Sequence, residues 1–536
     1  MNIQKQFIGK LTWVALVSVI ATHFIAIFAR GTTFELPILI LVGAAVFILS
    51  WKKLEYGLYA GFLEIIVGGH GHLLDAELLG LSLSLRMTVF GAVMLVWGIK
   101  WLKRDVRPEF LVFRDAPWAV LAVAIFLGTV IGFLRNDASA AFDDMNGYLT
   151  IAYLLPLVSI KWDQKKKRQL LQILSAGVIW LVLFTLLLSY LFTHLDGKSL
   201  NDVYRFIRDA RLAEVTLQTV SDSNGVVVSP FAAKLFGADG YWYRIFMQSH
   251  FFVVSFLLVL FSAMLMLWRR QRLPIVFGLN FALDASILAL STSRSFFLAF
   301  AAGTVLLISL SLTHGKKAIR STIARSILAA GFLVVSVSIA WMTIAVPIPA
   351  QPDIQDAAFY QTSADADREL AVSSRWQLLG PMMDDVWKNP ILGSGFGKEV
   401  SFVSDDPRVR AINPDGLWTT YRFEWGFQDI WLKMGILGLL AFGWYVAVII
   451  VATKYTAKKH GHKWLIFGLS AGVLSLFVAN VFSPYLNHPI GLGFMLFVLP
   501  FYDFEGLQRW LQESKKEKKR LKLAPKLKPA MSEMED

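Results

Sequence analysis

Long apolar runs separated by short polar connections occupy most of the chain, and many approach the ~20 residues needed to cross a bilayer. On this criterion about fourteen spans are expected. The N-terminal seven are Leu11–Ala29, Pro37–Trp51, Tyr56–Val67, Leu83–Trp101, Pro117–Leu134, Tyr148–Ile160 and Leu170–Phe192. The remaining seven are Ile245–Trp268, Ile275–Leu290, Ser295–Leu312, Ser326–Val346, Ile430–Thr453, Trp464–Phe482 and Gly491–Phe501.

The connections after alternate spans are basic: Lys52-Lys53, Lys103-Arg104 with Arg107, Lys165 through Arg168, and Arg269-Arg270 with Arg272. The pattern continues at Lys316-Lys317 with Arg320 and Arg325, and at Lys454, Lys458-Lys459 and Lys463. Cytoplasmic loops accumulate Lys and Arg, so these connections and both termini are expected inside. The expected fold is all-α, a polytopic transmembrane helix bundle. It divides into N-terminal helices (1–192), a first extracytoplasmic loop (193–243), central helices (244–346), a large, partly helical extracytoplasmic loop (347–428), C-terminal helices (429–503) and a basic cytoplasmic tail (504–536).

Composition agrees with this class. Apolar residues make up 56% of the 536 and charged residues only 17%, below what a soluble domain of this size carries. The net charge of +13 sits in short clusters at span ends, which accounts for it without a nucleic-acid partner. The chain has no cysteine, which excludes disulfides, thiolate metal sites and cysteine nucleophiles. The first apolar run is as long as a span and lacks a small-residue cleavage site, so it reads as a transmembrane helix and not as a cleaved signal.

Four polar features fall on the expected outer side: Arg244, Arg294 between two closely spaced runs, and Arg375 and Glu424 in the large loop. Ionisable groups near hydrocarbon are costly and mark functional candidates. Planar guanidinium groups match phosphate oxygens bidentately, so the arginines point to a phosphate or diphosphate ligand. Trp376, Trp418 and Trp425 are candidates for stacking on sugar rings. The glycine-rich Gly393-Ser394-Gly395-Phe396-Gly397 lacks the lysine spacing of a P-loop and reads as a structural turn. His70 and His72 near Asp75 and Glu77, and the pairs Asp384-Asp385 and Asp405-Asp406, do not have metal-ligand spacing. Asp284 and Glu64, inside apolar runs, keep a lipid, polysaccharide or ion transporter open as an alternative.

Three segments together resemble the superfamily of O-antigen ligases and Wzy-type polysaccharide polymerases. They are Leu290 through Ser295, Ser374-Arg375-Trp376 with the downstream Pro390 through Gly397, and Leu432 with Gly435 through Leu439. The resemblance covers roughly Arg244 to Ala452. It implies a bacterial inner-membrane glycosyltransferase of the GT-C type, inverting and independent of metal or other cofactor, acting on undecaprenyl-diphosphate-linked glycan donor and acceptor. Membrane lipids, chain-length regulators and export proteins are the implied partners. Arg294 and Arg375, with Arg244 in support, match arginines expected to hold the lipid diphosphate. Glu424 stands where ligases of the family carry a histidine, eleven residues before the glycine aligned with Gly435. That departure favours a polymerase with Glu424 as candidate base, with an O-antigen ligase as the alternative.

Overall fold

The computed structural model describes residues 4–78, 81–219, 241–267, 275–312, 316–352 except 347 and 349, and 365–516 except 460 and 515. The basic residues expected at 269–272, most of the basic tail, and parts of both large loops lie outside these. The side chains of 316–318 and 365–373 are likewise not described.

The chain is mostly helical, as the apolar runs require. In order come α1 (Lys10–Ala29), α2 (Glu35–Lys52), α3 (Leu54–Val67), the hairpin β1 (Asp75–Leu78) and β2 (Leu81–Ser84), α4 (Leu85–Leu102) and α5 (Val112–Arg135). Next are α6 (Ala138–Asn146), a 3-10 segment (Gly147–Tyr153), α7 (Leu154–Val158), α8 (Gln164–His194), α9 (Asn201–Asp209), and the hairpin β3 (Glu214–Thr219) and β4 (Tyr241–Phe246). Then follow α10 (His250–Leu267), α11 (Ile275–Ser291), α12 (Arg294–Leu312), α13 (Lys316–Ala345) and α14 (Asp365–Lys388). A third hairpin, β5 (Val400–Val403) and β6 (Leu417–Thr420), precedes α15 (Gly426–Lys459), α16 (Lys463–Ala479) and α17 (Pro489–Val498). All three hairpins are antiparallel.

Among the described residues nine helices are long and apolar enough to cross a membrane, or ten if the bent pair Pro489–Phe501 and Phe504–Ser514 counts as one span. This falls short of the fourteen expected. Of the remaining apolar runs, Phe277–Ser291 and Lys463–Ala479 form shorter helices. The run Tyr56–Val67 forms the 14-residue α3, and Tyr148–Ile160 forms only the 3-10 segment and α7. The physical reason is length: the 14 residues of α3 rise about 21 Å, short of the ~30 Å hydrocarbon core. A second correction concerns Ile245–Trp268. Its first residues belong to strand β4, whose side chains alternate between buried and half-buried, and the helix begins at His250.

The core is built where α10, α12 and α16 pack against one another, and where α5 packs along α15. Glycine makes some of these approaches possible: a Cβ at Gly468 would meet the Val259 backbone of α10 at 2.6 Å. One end of the bundle gathers predicted basic residues from several connections: Lys103 lies over the Trp51 ring beside Lys52, Lys166 is 3.7 Å from Glu55, and Lys459 is 3.0 Å from Asp503. The three hairpins and the large loop gather at the other end. There the connection 480–488 touches most of them: Tyr485 Oη donates to the Gln248 carbonyl, the His488 ring lies 5.3 Å from that of His70, and Phe482 packs on Trp425.

Candidate functional site

The large loop has a hydrophobic core of its own, in which Leu378, Met382 and Val386 of α14 pack with Val400, Phe402, Phe423 and Leu432. This cluster fixes the face of α14 that carries Arg375. Arg375 Nε is ion-paired with the Glu424 carboxylate, both side chains about half exposed at 46% and 50%. Beneath the pair, Trp425 Nε1 donates to the Arg375 carbonyl at 2.8 Å, and the indole lies edge-on to Trp376 with centroids 4.8 Å apart. Trp425 is buried between Trp376 and Phe482, so its role is support and not sugar stacking. Trp376, 58% exposed, presents its ring beside Arg375, and Trp418 stands on β6, also open to solvent.

The segment after α14 explains how the loop is held. Gly435 interrupts α15 with φ +64°, a conformation that costs a residue with a side chain, and a Cβ there would run into the Ile391 carbonyl. The interruption accommodates the turn 389–397. Ser394 N donates to Leu432 O at 2.6 Å, Gly395 N to Lys433 O at 3.2 Å, and Ile436 N to Pro390 O at 3.0 Å. Phe396 N donates to Gly128 O of α5 at 3.0 Å, Gly393 N to Asn389 O, and Gly397 N to the Asp144 carboxylate at 2.9 Å. All five amide groups of Gly393–Gly397 are thus used inside the protein. The turn is structural, as its motif context suggested, and has no N–H group left to cradle phosphate.

Below the turn lies a charged group that the motif reading did not single out. Lys433, 2% exposed at its side chain, sits 2.6 Å from Asp144 and 2.6 Å from Asp429. Lys433 also donates to the Tyr421 carbonyl at 3.0 Å, and Asn487 donates to Asp429 at 2.6 Å. The cluster ties α15, the α6 region, the loop before Glu424 and the 480–488 connection at one point. Asp429 and Lys433 were detectable, being ionisable residues one helical turn apart beside an apolar run. Asp144 carried no such signal.

Asp385 pins the other end of α14. Its carboxylate lies 2.6 Å from Lys388 and 3.0 Å from Lys398, the residue after the glycine turn. Burial pushes its pKa up, but these two cations outweigh burial and hold it below the ordinary carboxylate value.

Arg294 opens α12 after Thr292, which has φ +42°, and its side chain is exposed. Arg244 is engaged within the protein: its Nε donates to Ser291 O at 2.8 Å, Glu214 is 3.8 Å away, and the guanidinium lies over the Phe246 ring at 4.9 Å. Arg244 therefore braces the turn that carries Arg294. From there Ser295 contacts Ser483 at 3.4 Å, and the adjoining Phe482 packs on Trp425 under Arg375. The four residues singled out in the sequence thus fall on one end of the bundle, as Arg294 with its brace Arg244 and as the Arg375–Glu424 pair.

Most of the other sequence candidates have partners. Glu64 accepts from Arg86 at 2.8 Å, which removes it as a free acid in a span, whereas Asp284 is buried in α11 with its Oδ2 unpartnered among the described residues. His72 pairs with Asp75 at 2.9 Å, and a ring nitrogen of His70 lies 3.0 Å from the Arg211 carbonyl. Asp405 is held by Gln377 and Arg410.

Residues 279–443 match the family model described as O-Antigen ligase (Wzy_C). The matched segment contains Arg294, Arg375, Glu424 and Gly435 and leaves out Arg244. No curated protein and no solved structure matches the chain. The match supports the resemblance read from the motifs. Together with the apolar helices it describes a multi-pass membrane protein with a segment, residues 279–443, similar to the O-antigen ligase family.

Proposed function

We propose that this chain is a polysaccharide polymerase that joins undecaprenyl-diphosphate-linked oligosaccharide units at the outer leaflet of a bacterial inner membrane. The basic end of the bundle, with both termini, would face the cytoplasm. The observation that carries the reading is the Arg375–Glu424 pair, displayed at the end that also carries Arg294 and lying within the family match.

In the proposed reaction a hydroxyl oxygen of the acceptor sugar attacks the anomeric carbon of the donor. The bond from that carbon to the diphosphate oxygen breaks, and its electron pair leaves with the lipid diphosphate. Arg375 and Arg294 stabilise the charge that develops there, and Arg244 holds the Arg294 turn. Glu424 takes the hydroxyl proton. Its carboxylate is paired with Arg375. A diphosphate that draws the guanidinium away would free Glu424, so base activation would follow donor binding. Direct displacement inverts the anomeric centre, and guanidinium groups supply the neutralisation otherwise asked of a metal. Trp376, beside Arg375, is the better placed ring for a sugar, with Trp418 at the margin of the loop.

Glutamate at position 424, in place of the ligase histidine, supports polymerase over ligase. The description of the matched family supports the ligase reading. Purified protein incubated with a lipid-linked repeat unit is expected to give a ladder of products. Arg375→Ala and Glu424→Gln should abolish the ladder and let single lipid-linked units accumulate, and an undiminished ladder from either variant would reject the mechanism. In cells, a ligase defect would instead accumulate finished polymer on its carrier. A transporter defect would hold the units on the cytoplasmic leaflet.

A further inference from the structure

At the end of the bundle opposite Arg375, α8 begins next to the end of α15, the start of α16 and the segment after α17. Between them is a cavity of about 220 Å³. Its polar side is formed by Lys165, Lys167 and Arg168, and its apolar side by Leu171, Leu465, Ile466 and Phe501. The acid that lines it, Asp503, is already paired with Lys459 at 3.0 Å. Among the described residues none of Lys165, Lys167 and Arg168 forms an ion pair, whereas the neighbouring Lys166 is matched with Glu55. Lys167 is half-buried, so its charge faces the cavity with less water than a surface lysine has. The cavity is smaller than the roughly 300–1,000 Å³ that encloses a whole drug-sized ligand. It can take a headgroup whose tail remains outside.

We infer that this cavity binds the phosphate headgroup of an anionic glycerophospholipid, with the first part of its acyl region against Leu465, Ile466 and Phe501. The three lining cations outnumber the acids that act on them, Asp503, which is shared with Lys459, and Glu505 near Lys167, so the site selects a negative charge. The apolar wall selects a lipid over a free anion. Basic pockets between helices at the membrane surface recognise lipid headgroups in this way. Because the walls come from the N-terminal part (α8) and the C-terminal part (α15, α16 and the segment after α17), a bound lipid would clamp these two parts of the chain together. The inference does not depend on which glycan reaction runs at the other end.

The test uses the full chain purified in a neutral detergent, with phosphatidylglycerol, phosphatidylcholine or inorganic phosphate titrated in. Bound lipid is read by native mass spectrometry and by the unfolding temperature. Phosphatidylglycerol should bind and raise the unfolding temperature, whereas phosphatidylcholine and inorganic phosphate should not. At about a fivefold loss per cation, Lys167→Gln alone should weaken binding about fivefold, and the triple change Lys165→Gln, Lys167→Gln, Arg168→Gln about a hundredfold. Lys167→Arg should retain it. The control Lys52→Gln, Lys53→Gln, Lys103→Gln removes as much charge outside the cavity and should change binding less than about threefold. The inference is overturned by unchanged affinity in Lys167→Gln, by an equal loss in the control, or by an equal response to inorganic phosphate.

Discussion

Replacing Lys433 with methionine tests the account of how the site is held. The substitution keeps a long apolar stem and removes the ammonium that lies 2.6 Å from both Asp144 and Asp429. The three side chains are exposed by 2%, 8% and 1%, so water cannot replace the lost partner. Two carboxylates would then face one another inside the protein. Removing one partner of a buried ion pair costs about 3–5 kcal/mol. That is a large share of a net stability of about 5–15 kcal/mol. The same reasoning gives a rescue: adding Asp144→Asn and Asp429→Asn to Lys433→Met removes the uncompensated charge and should recover most of the loss. Thermal unfolding of the purified protein, followed by tryptophan fluorescence, measures both. A Lys433→Met protein within about 1 kcal/mol of the parent, or one made less stable by the two asparagines, would refute the claim that the cluster is a compensated buried charge.

Gly435→Ala places a side chain at φ +64° and against the Ile391 carbonyl, so it should cost about 2 kcal/mol or more and displace the turn 389–397. Alanine at Gly443, where nothing lies within reach of a Cβ, should be neutral or stabilising in the same unfolding assay. Arg375→Lys keeps the charge but loses the guanidinium fork; polymer formation should fall at least tenfold while the unfolding temperature stays near the parent's. For Asp385 the folded-state pKa lies below the unfolded value of about 3.9. Its contribution to stability is therefore complete at neutral pH and is lost as pH falls through and below that value. The stability gap between the parent and Asp385→Asn should narrow in acid, and a gap independent of pH would contradict this.

The apolar runs were enough to read a helix bundle, and several boundaries follow them closely: α1 runs from Lys10 to Ala29 where Leu11–Ala29 was expected. They do not fix how long a helix each run forms: α3 has 14 residues, and Tyr148–Ile160 forms only a 3-10 segment and α7. Strand β4 was hidden because Tyr241–Phe246 runs almost directly into the apolar helix α10, so its period-two alternation was absorbed into a longer run. Arg375, Glu424 and Trp376 were legible as exposed polar and aromatic residues of the large loop, and the structure adds that they stand together. What holds them was not legible. The break at Gly435 is matched by a turn some forty residues earlier, and Lys433 is neutralised by an aspartate 289 residues away. Such pairings leave no local pattern, since either half alone reads as an ordinary glycine or a costly charge. The two classes of residue should therefore separate on substitution. Changes at Arg375 and Glu424 should alter turnover and spare folding, whereas changes at Asp144, Lys433 and Gly435 should reach turnover only through the geometry of the loop.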